Sequence, residues 1–483
     1  MKSTQRYIFL SVFFISSVAL AQNLDALVQQ FVTNKQFGGA KISLMAIDIT
    51  NKDTLIAYKP TLAVPTASTT KLFSSSMALE VLGGDYKFET QFFANGLIAN
   101  GVLKGDLWVR GGGDVSFGSK YILQDGKETQ AFSEIIDSLR AHGILKIQGK
   151  IILDGSSFGY NNVPSGWSAN DIGNYYGAFP AAFNYYDNVV KYYFETGKVG
   201  TLAKLIKTYP NQPNLSLNCK IVSADIGYDN SNIKGKAYDE NRSATGKLPA
   251  NKESYVVRGS VANPESNFMH AMNDFFTKSS FNVSGGIHSN KTLKYKLPDF
   301  DSIARLFNVN SVALKEITSL TNHRSINLFA EGLLNGVAYK LTGIGTTSKG
   351  IEIYKKFYGP RIDTTGLILY DGSGLSRNNR ISASHLCSLL AYMTTSNAYE
   401  DFFNSLPIAG VNGTISDLCK GKAGDGKVHA KSGTMTGIKS YSGYIKALHG
   451  HDIVFAFIVS GHSCNQNTVI AQMEILLNAL ASR

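Results

Sequence analysis

The spacing of hydrophobic positions changes several times along this chain of 483 residues. Residues 24–34 carry apolar side chains at helical spacing and predict a short helix. Lys41–Ile49 (KISLMAIDI) reads as a strand, and a turn at Asn51-Lys52-Asp53 leads into a second, Thr54–Tyr58. That pair is a hairpin signal. After Pro65, Leu72, Met77, Ala78, Val81 and Leu82 recur at helical spacing without a proline, predicting a helix that opens near Ser68. From about Phe88 short β-like runs alternate with glycine turns: Glu89–Phe93, Gly101–Arg110 and Lys146–Leu153, with more between 205 and 300. Helical spacing returns from about Ile303, in Val312–Leu320, Asn327–Leu341 and Ala383–Met393. The chain then reads as strands at Lys427–Lys431, Ser440–Ala447 and Ile453–Val459 and a last helix, Asn467–Ala481. Helix and strand at both ends of a β-rich middle predict one domain interrupted by a long insertion. No internal repeat or low-complexity segment is evident.

Composition narrows the class. Hydrophobic residues make up 43% and charged residues 17%, enough to build cores and too apolar for wholesale disorder. The length exceeds one ordinary domain. Residues 1–21 have the form of a cleaved export signal: Lys2 and Arg6, an apolar Tyr7–Val18, then Ala19-Leu20-Ala21. About a dozen apolar residues are too few to span a bilayer, which needs roughly 20. No later stretch is long and apolar enough, so no stable membrane span is expected. Net charge is +11, spread without a dense run. It suits attraction to an anionic wall or membrane surface, or solubility alone. No nucleic-acid motif is present. Cys219, Cys387, Cys419 and Cys464 would allow disulfides in an exported protein, with Cys387–Cys419 the favoured pair and buried free thiols an equal alternative.

Three short motifs carry candidate chemistry. Ser68-Thr69-Thr70-Lys71 places a hydroxyl and an amine three residues apart, on one helical face. A partly desolvated lysine loses its proton near neutral pH and can serve as the base for such a hydroxyl. Lys431-Ser432-Gly433-Thr434 lies on a predicted strand, where Gly433 admits a ligand to the backbone and two hydroxyls beside a cation suit a carboxylate. An S-x-N occurs twice, as Ser325-Ile326-Asn327 at a helix start and Ser376-Arg377-Asn378 in a glycine-rich loop. Gly155-Ser156-Ser157-Phe158-Gly159 fits a nucleophile elbow, but Tyr160-Asn161-Asn162-Val163-Pro164 cannot open the helix it requires. Gly111-Gly112-Gly113-Asp114 is a tight turn rather than a phosphate loop, since no Lys-Ser/Thr follows. None of the nine histidines has metal-site spacing. His323 and His429 lie near the motifs but read as packing or solvated residues.

Taken together, the motifs resemble those of class C low-molecular-mass penicillin-binding proteins, the D-alanyl-D-alanine carboxypeptidase/endopeptidase family. That family carries S-x-x-K, S-x-N and K-T-G in this order, with a large insertion after the first. Gly111–Asp114, Asn188-Val189-Val190, Leu328–Glu331, Asp371–Ser376 and Leu406–Gly410 with Gly413-Thr414 match further family features, over roughly residues 40–475. The resemblance selects Ser325-Ile326-Asn327, which stands 106 residues before Lys431. Ile326 replaces the usual Asp and Ser432 the usual Thr; neither change removes a required functional group.

The implied fold is α+β, a penicillin-binding/β-lactamase-like domain with an antiparallel sheet flanked by helices. It would be built from 22–90 and 303–483, around a mainly β insertion at 91–302 of two subdomains. The implied activity is serine D,D-peptidase action on peptidoglycan stem peptides, at the terminal D-Ala-D-Ala bond and on cross-links, with β-lactams as inhibitors and no metal or other cofactor. Catalysis would fall to Ser68, Lys71 and Ser325, and substrate binding to Asn327, Lys431, Ser432, Gly433 and Thr434. The backbone N–H groups of Ser68 and Thr434 would form the oxyanion hole. Secretion across the inner membrane into the periplasm or envelope is expected. A serine β-lactamase, a D-amino-peptide esterase and a non-catalytic wall-binding protein are the alternatives.

Overall fold

The structure is a computed structural model that describes residues 24–124 and 126–483. The export-signal expectation falls outside those residues. Five strands form an antiparallel sheet in the order Val428–Met435, Ile438–Lys446, Asp452–Ser460, Lys41–Asp48, Asp53–Tyr58. The first and last parts of the chain therefore meet in one sheet, with Lys41 paired to Ser460 and Asp48 to Ile453.

Both faces of this sheet are covered. On one side the helix Lys71–Leu82 packs with Asn327–Thr342 and Ala383–Met393 against Val454, Ala456 and Ile458. On the other, helix 24–32 and Gln466–Ala481 pack against Ile453, Phe455, Phe457 and Val459. This explains why the strand Asp452–Ser460 reads as a continuous apolar run rather than an alternation. Cys387 belongs to the first core and Cys419 to the second, so the sheet lies between them. The favoured Cys387–Cys419 pair does not form, and all four thiols are free. Burial pushes the Cys387 thiol up, far from the thiolate form.

Among the described residues the insertion holds three further sheets. The largest joins Val102–Arg110 to Glu89–Ala99, which pairs in turn with Ala304–Asn310. The insertion's sheet thus takes both its entry and exit strands from the two chain segments that link it to the first domain. Two three-stranded sheets, centred on Val189–Thr196 and Asn241–Pro249, share a second core around Tyr192, Phe194, Ile221 and Ile233. The insertion is less purely β than its glycine punctuation suggested. Helices Ala131–Ala141 and Pro264–Lys278 cover the large sheet with Phe132, Ile136, Phe268, Met272 and Phe276. The second of these has an Asn263 cap and a proline at its start, a helix signal the sequence reading passed over. The helix Thr347–Tyr358 was passed over likewise, although the Thr346 side chain caps it.

Candidate active site

The nucleophile candidate does not open the α-helix directly. Ala67–Thr70 is a single 3-10 turn, and Lys71 is the first residue of the α-helix Lys71–Leu82. A 3-10 turn has three residues per turn, so residues i and i+3 eclipse and Lys71 lies over Ser68. Ala67 enters the turn at φ +51°, a left-handed conformation that non-glycine residues rarely hold. The helix that follows is buried all round, as a central helix must be. Its serines satisfy themselves locally: Ser75 and Ser76 hydroxyls donate to the Lys71 and Leu72 carbonyls at 2.7 and 2.6 Å.

The Lys71 ammonium position is fixed by three acceptors. Nζ donates to Ser68 Oγ at 3.0 Å, Asn327 Oδ1 at 2.6 Å and the Ser373 carbonyl at 2.7 Å. Burial lowers its pKa to about 7, against the opposing pull of Asp371 and Glu331. A base poised near neutrality is therefore in hydrogen-bonding contact with the Ser68 hydroxyl. Lys431 Nζ donates to Ser325 Oγ at 2.9 Å and to the Ser432 carbonyl at 2.8 Å. Burial, then the nearby Lys71 and Lys439 charges, hold its pKa well below the ordinary lysine value. Ser325 ends the helix Leu314–Arg324 in a left-handed conformation, φ +57°, and Asn327 starts the next helix. Ile326, between them, packs against the apolar core.

Ser68, Ser325, Asn327 and Thr434 line one cleft of about 400 Å³, with Asp171, Tyr176 and Arg377 among its other walls. Gly433 faces the serine turn. A β-carbon there would collide with the Thr66 carbonyl and the Ser440 hydroxyl and crowd the Ser68 N–H, so only glycine fits. The Ser432 hydroxyl is hydrogen-bonded to that of Thr414 at 2.7 Å. The second S-x-N is not in the lysine network: Ser376 Oγ accepts from the Asn378 N–H of its own loop at 3.2 Å.

The roles of six residues were not predicted from the sequence: Ser373, Glu331, Asp371, Trp167, Tyr176 and Lys439. The Asp371–Ser376 loop presents the Ser373 carbonyl to Lys71. Two buried carboxylates hold that loop. Glu331 sits one helical turn after Asn327 and accepts the Gly372 N–H at 3.0 Å and the Ser373 N–H at 2.8 Å. Asp371 accepts the Ser376 N–H at 2.6 Å and the Trp167 indole N–H at 2.9 Å. Gly374 closes the loop at φ +83° against the Ala67 carbonyl. The insertion reaches the site through Trp167, through Asp171 in the cleft wall and through the Tyr176 carbonyl, which accepts from Asn327 Nδ2 at 2.8 Å. Finally, Lys439 lies opposite Thr434 across the hairpin and donates to its hydroxyl at 2.9 Å. Burial lowers Lys439 to about 8. The Thr436-Gly437 turn, with Gly437 at φ +75°, was the signal that could have placed it.

The decoys stay apart from this cleft. Ser157 accepts from Arg110 at 3.3 Å within a 3-10 turn, and no helix follows. Gly111–Asp114 is not the expected tight turn but a buried irregular segment whose Gly111 and Gly113 N–H groups donate to the Asp154 and Ala182 carbonyls, and whose Asp114 carboxylate accepts the Ser116 N–H at 2.7 Å. His429 stacks on Phe403 with ring centroids 4.4 Å apart, a packing role. Among the described residues no group of His, Cys, Asp and Glu could hold a metal ion.

Glu331 offers a test of the loop's role. An amide in place of its carboxylate would bring an NH₂ group among backbone N–H donors, and a mispaired buried polar group costs about 1–3 kcal/mol. Glu331→Gln is expected to slow acylation of Ser68 by roughly tenfold on that scale. Burial pushes the Glu331 carboxyl up to about 8, so it is only partly ionised near neutrality; losing that partial charge, which raises the Lys71 pKa, moves the pH–rate inflection slightly to lower pH. Stopped-flow acylation by a chromogenic β-lactam across pH reads both effects. A slower rate with an unmoved inflection would mean that Glu331 acts only through packing.

Comparison with known proteins places this architecture. The chain is 26% identical over 459 residues to a D-alanyl-D-alanine carboxypeptidase of Actinomadura sp., covering 92% of this chain and 81% of that protein. The crystal structure of penicillin binding protein 4 from Haemophilus influenzae superposes with a TM-score of 0.80 at 22% identity, covering 95% of this chain and 100% of that one. The same H. influenzae protein complexed with a β-lactam gives a TM-score of 0.74 at 22% identity, covering 95% and 98%. These structures share the penicillin-binding fold with this chain. Residues 20–480 match the model of the D-Ala-D-Ala carboxypeptidase 3 (S13) family, and the chain belongs to that family.

Proposed function

We propose that Ser68 is the nucleophile of a serine D,D-peptidase that cleaves the terminal D-Ala-D-Ala bond of peptidoglycan stem peptides and the D-Ala cross-links between them. The observation that carries this reading is the Lys71 amine, pushed to about 7 and 3.0 Å from the Ser68 hydroxyl. In the proposed sequence neutral Lys71 takes the hydroxyl proton as Ser68 Oγ attacks the scissile carbonyl. The Ser68 and Thr434 N–H groups stabilise the oxyanion; losing such a donor typically costs about 100- to 1,000-fold. Ser325, held by Lys431, relays a proton to the departing amine. The C–N bond breaks, leaving an ester on Ser68 that water hydrolyses. Asn327 orients Lys71 and the substrate backbone, and Ser432 and Thr434 bind the terminal carboxylate. Lys439, which donates to the Thr434 hydroxyl at 2.9 Å, favours an anion there.

β-Lactams would acylate the same serine, consistent with the crystal complex of the H. influenzae relative. Export to the periplasm or envelope accords with the substrate's location and with the leader-like residues 1–21. No helix among the described residues is long and apolar enough to cross a membrane.

The test is a pair of assays on wild type: D-alanine release from a pentapeptide and the fate of benzylpenicillin. Peptide hydrolysis with a persistent penicilloyl adduct supports the reading. Fast penicillin turnover with an inert peptide would make the protein a β-lactamase instead.

A further inference from the structure

Away from the catalytic cleft the insertion holds a second cavity, of about 120 Å³. A single water needs only about 10–15 Å³. The cavity lies where the strand Ile151–Asp154 runs into Gly155, beside the first turn of the helix Pro264–Lys278. Glu265, in that turn, lines it. Burial pushes the Glu265 carboxyl up to about 7, against the pull of the Ser289 hydroxyl and the Lys291 charge. Its Oε1 is buried and has no hydrogen-bond partner among the described residues. Asp154, next to Gly155 and 2% exposed, repeats the pattern: Oδ1 accepts the Ser156 N–H at 3.1 Å, and Oδ2 is buried without a partner among those residues. A buried acceptor left unpaired costs its full desolvation, so both oxygens call for a donor. Gly155 keeps the space beside them open. Its φ of −103° suits any residue, but a β-carbon there would crowd Glu265 Oε2 and the Ala182 methyl.

The rest of the lining narrows what that donor belongs to. Lys291 Nζ already lies over the Tyr238 and Tyr160 rings, 4.8 and 5.6 Å from their centroids, so a cationic ligand would meet a cation in place. Ala181, Ala182 and Met269 add an apolar wall. A neutral group that carries an N–H next to a methyl satisfies both the carboxylate and the wall. We propose that this cavity binds an N-acetylated sugar ring, its acetamido N–H donating to Glu265 Oε1 and its methyl resting on Ala181, Ala182 and Met269. The glycan strand that bears the stem peptides is built of such rings, and this choice of source rests on the D,D-peptidase reading above. The insertion then holds the polymer while the cleft acts on its peptides.

The experiment titrates the full chain, by ligand-observed NMR, with N,N′-diacetylchitobiose, with cellobiose, which has the same linkage and no acetamido group, and with the peptide-free disaccharide of peptidoglycan. Both acetylated disaccharides are expected to bind, and cellobiose at least about tenfold more weakly, the scale of one hydrogen bond to a charged group. Glu265→Gln is expected to weaken the acetylated sugars by a similar factor while D-alanine release from a pentapeptide stays unchanged, which also reports that the variant is folded. Equal binding of cellobiose, or no binding of any of the three, would overturn the site from wild type alone. Undiminished binding in a folded Glu265→Gln would overturn it too. Binding of diacetylchitobiose without the peptidoglycan disaccharide would overturn the glycan-strand source. Sugar binding by a wild type that releases no D-alanine would remove the D,D-peptidase reading and leave the cavity assignment standing.

Discussion

Ser68→Ala is expected to abolish the covalent benzylpenicillin adduct and to lower D-alanine release by at least about 10⁴-fold, the scale seen when a serine peptidase loses its nucleophile. The fold gives no reason for this variant to misfold. The side chain lost is one hydroxyl at the cleft edge, and Lys71 keeps two of its three acceptors, Asn327 Oδ1 and the Ser373 carbonyl. Residual hydrolysis would come from binding and oxyanion stabilisation alone. Intact-mass analysis reads the adduct directly. An equal mass gain in wild type and variant would assign the chemistry to another residue.

Lys71→Met is expected to lower the acylation rate by about 10²- to 10⁴-fold, the range for loss of a positioned general base. Methionine matches the length of the lysine stem, and the buried cavity tolerates an apolar side chain more readily than an unpaired amine. It leaves Asn327 Oδ1 and the Ser373 carbonyl without their shared donor. Some loosening of the Asp371–Ser376 loop is therefore expected, but not loss of the fold, because Glu331 and Asp371 still hold its N–H groups. Stopped-flow acylation together with circular dichroism separates the two effects. A rate within about threefold of wild type in a folded variant would exclude Lys71 as the base.

The outline of this site was legible because its chemistry sits in side chains at short, fixed spacings. Ser68 and Lys71 are one turn apart, Ser325 and Asn327 flank a helix start, and Lys431 to Thr434 lie on one strand. The helix Ala383–Met393 and the sheet strands at both ends were legible for the same reason, as periodic apolar runs with clear punctuation. What escaped was held by backbone atoms or by partners distant in sequence. The Ser373 and Tyr176 carbonyls carry no side-chain signature. Trp167 meets Asp371 across 204 residues. Lys439 could be paired with Thr434 only once the two-residue turn at Thr436-Gly437 was recognised. Cys387 and Cys419 flank one stretch of sequence, but two layers of core and a sheet separate them.

The insertion is part of the site rather than an appendage to it. Tyr176 fixes the amide of Asn327, and Trp167 anchors the loop that presents Ser373, so two contacts from residues 167–176 bear on one lysine. The same segment carries Tyr175 to the cleft wall, where its ring lies against the Arg258 guanidinium.

The central claim is that a neutral, buried amine activates Ser68, and the pH dependence of acylation in wild type tests it most directly. Burial holds Lys71 near 7, so the neutral fraction grows as pH rises through that value. The rate constant for acylation by benzylpenicillin should climb about tenfold per pH unit below the inflection and level off above it, as for any single essential base. An inflection near pH 7 that vanishes in Lys71→Met is the predicted result. A rate that is flat from about pH 5 to 9, or that climbs without levelling toward the ordinary lysine value, would contradict the account.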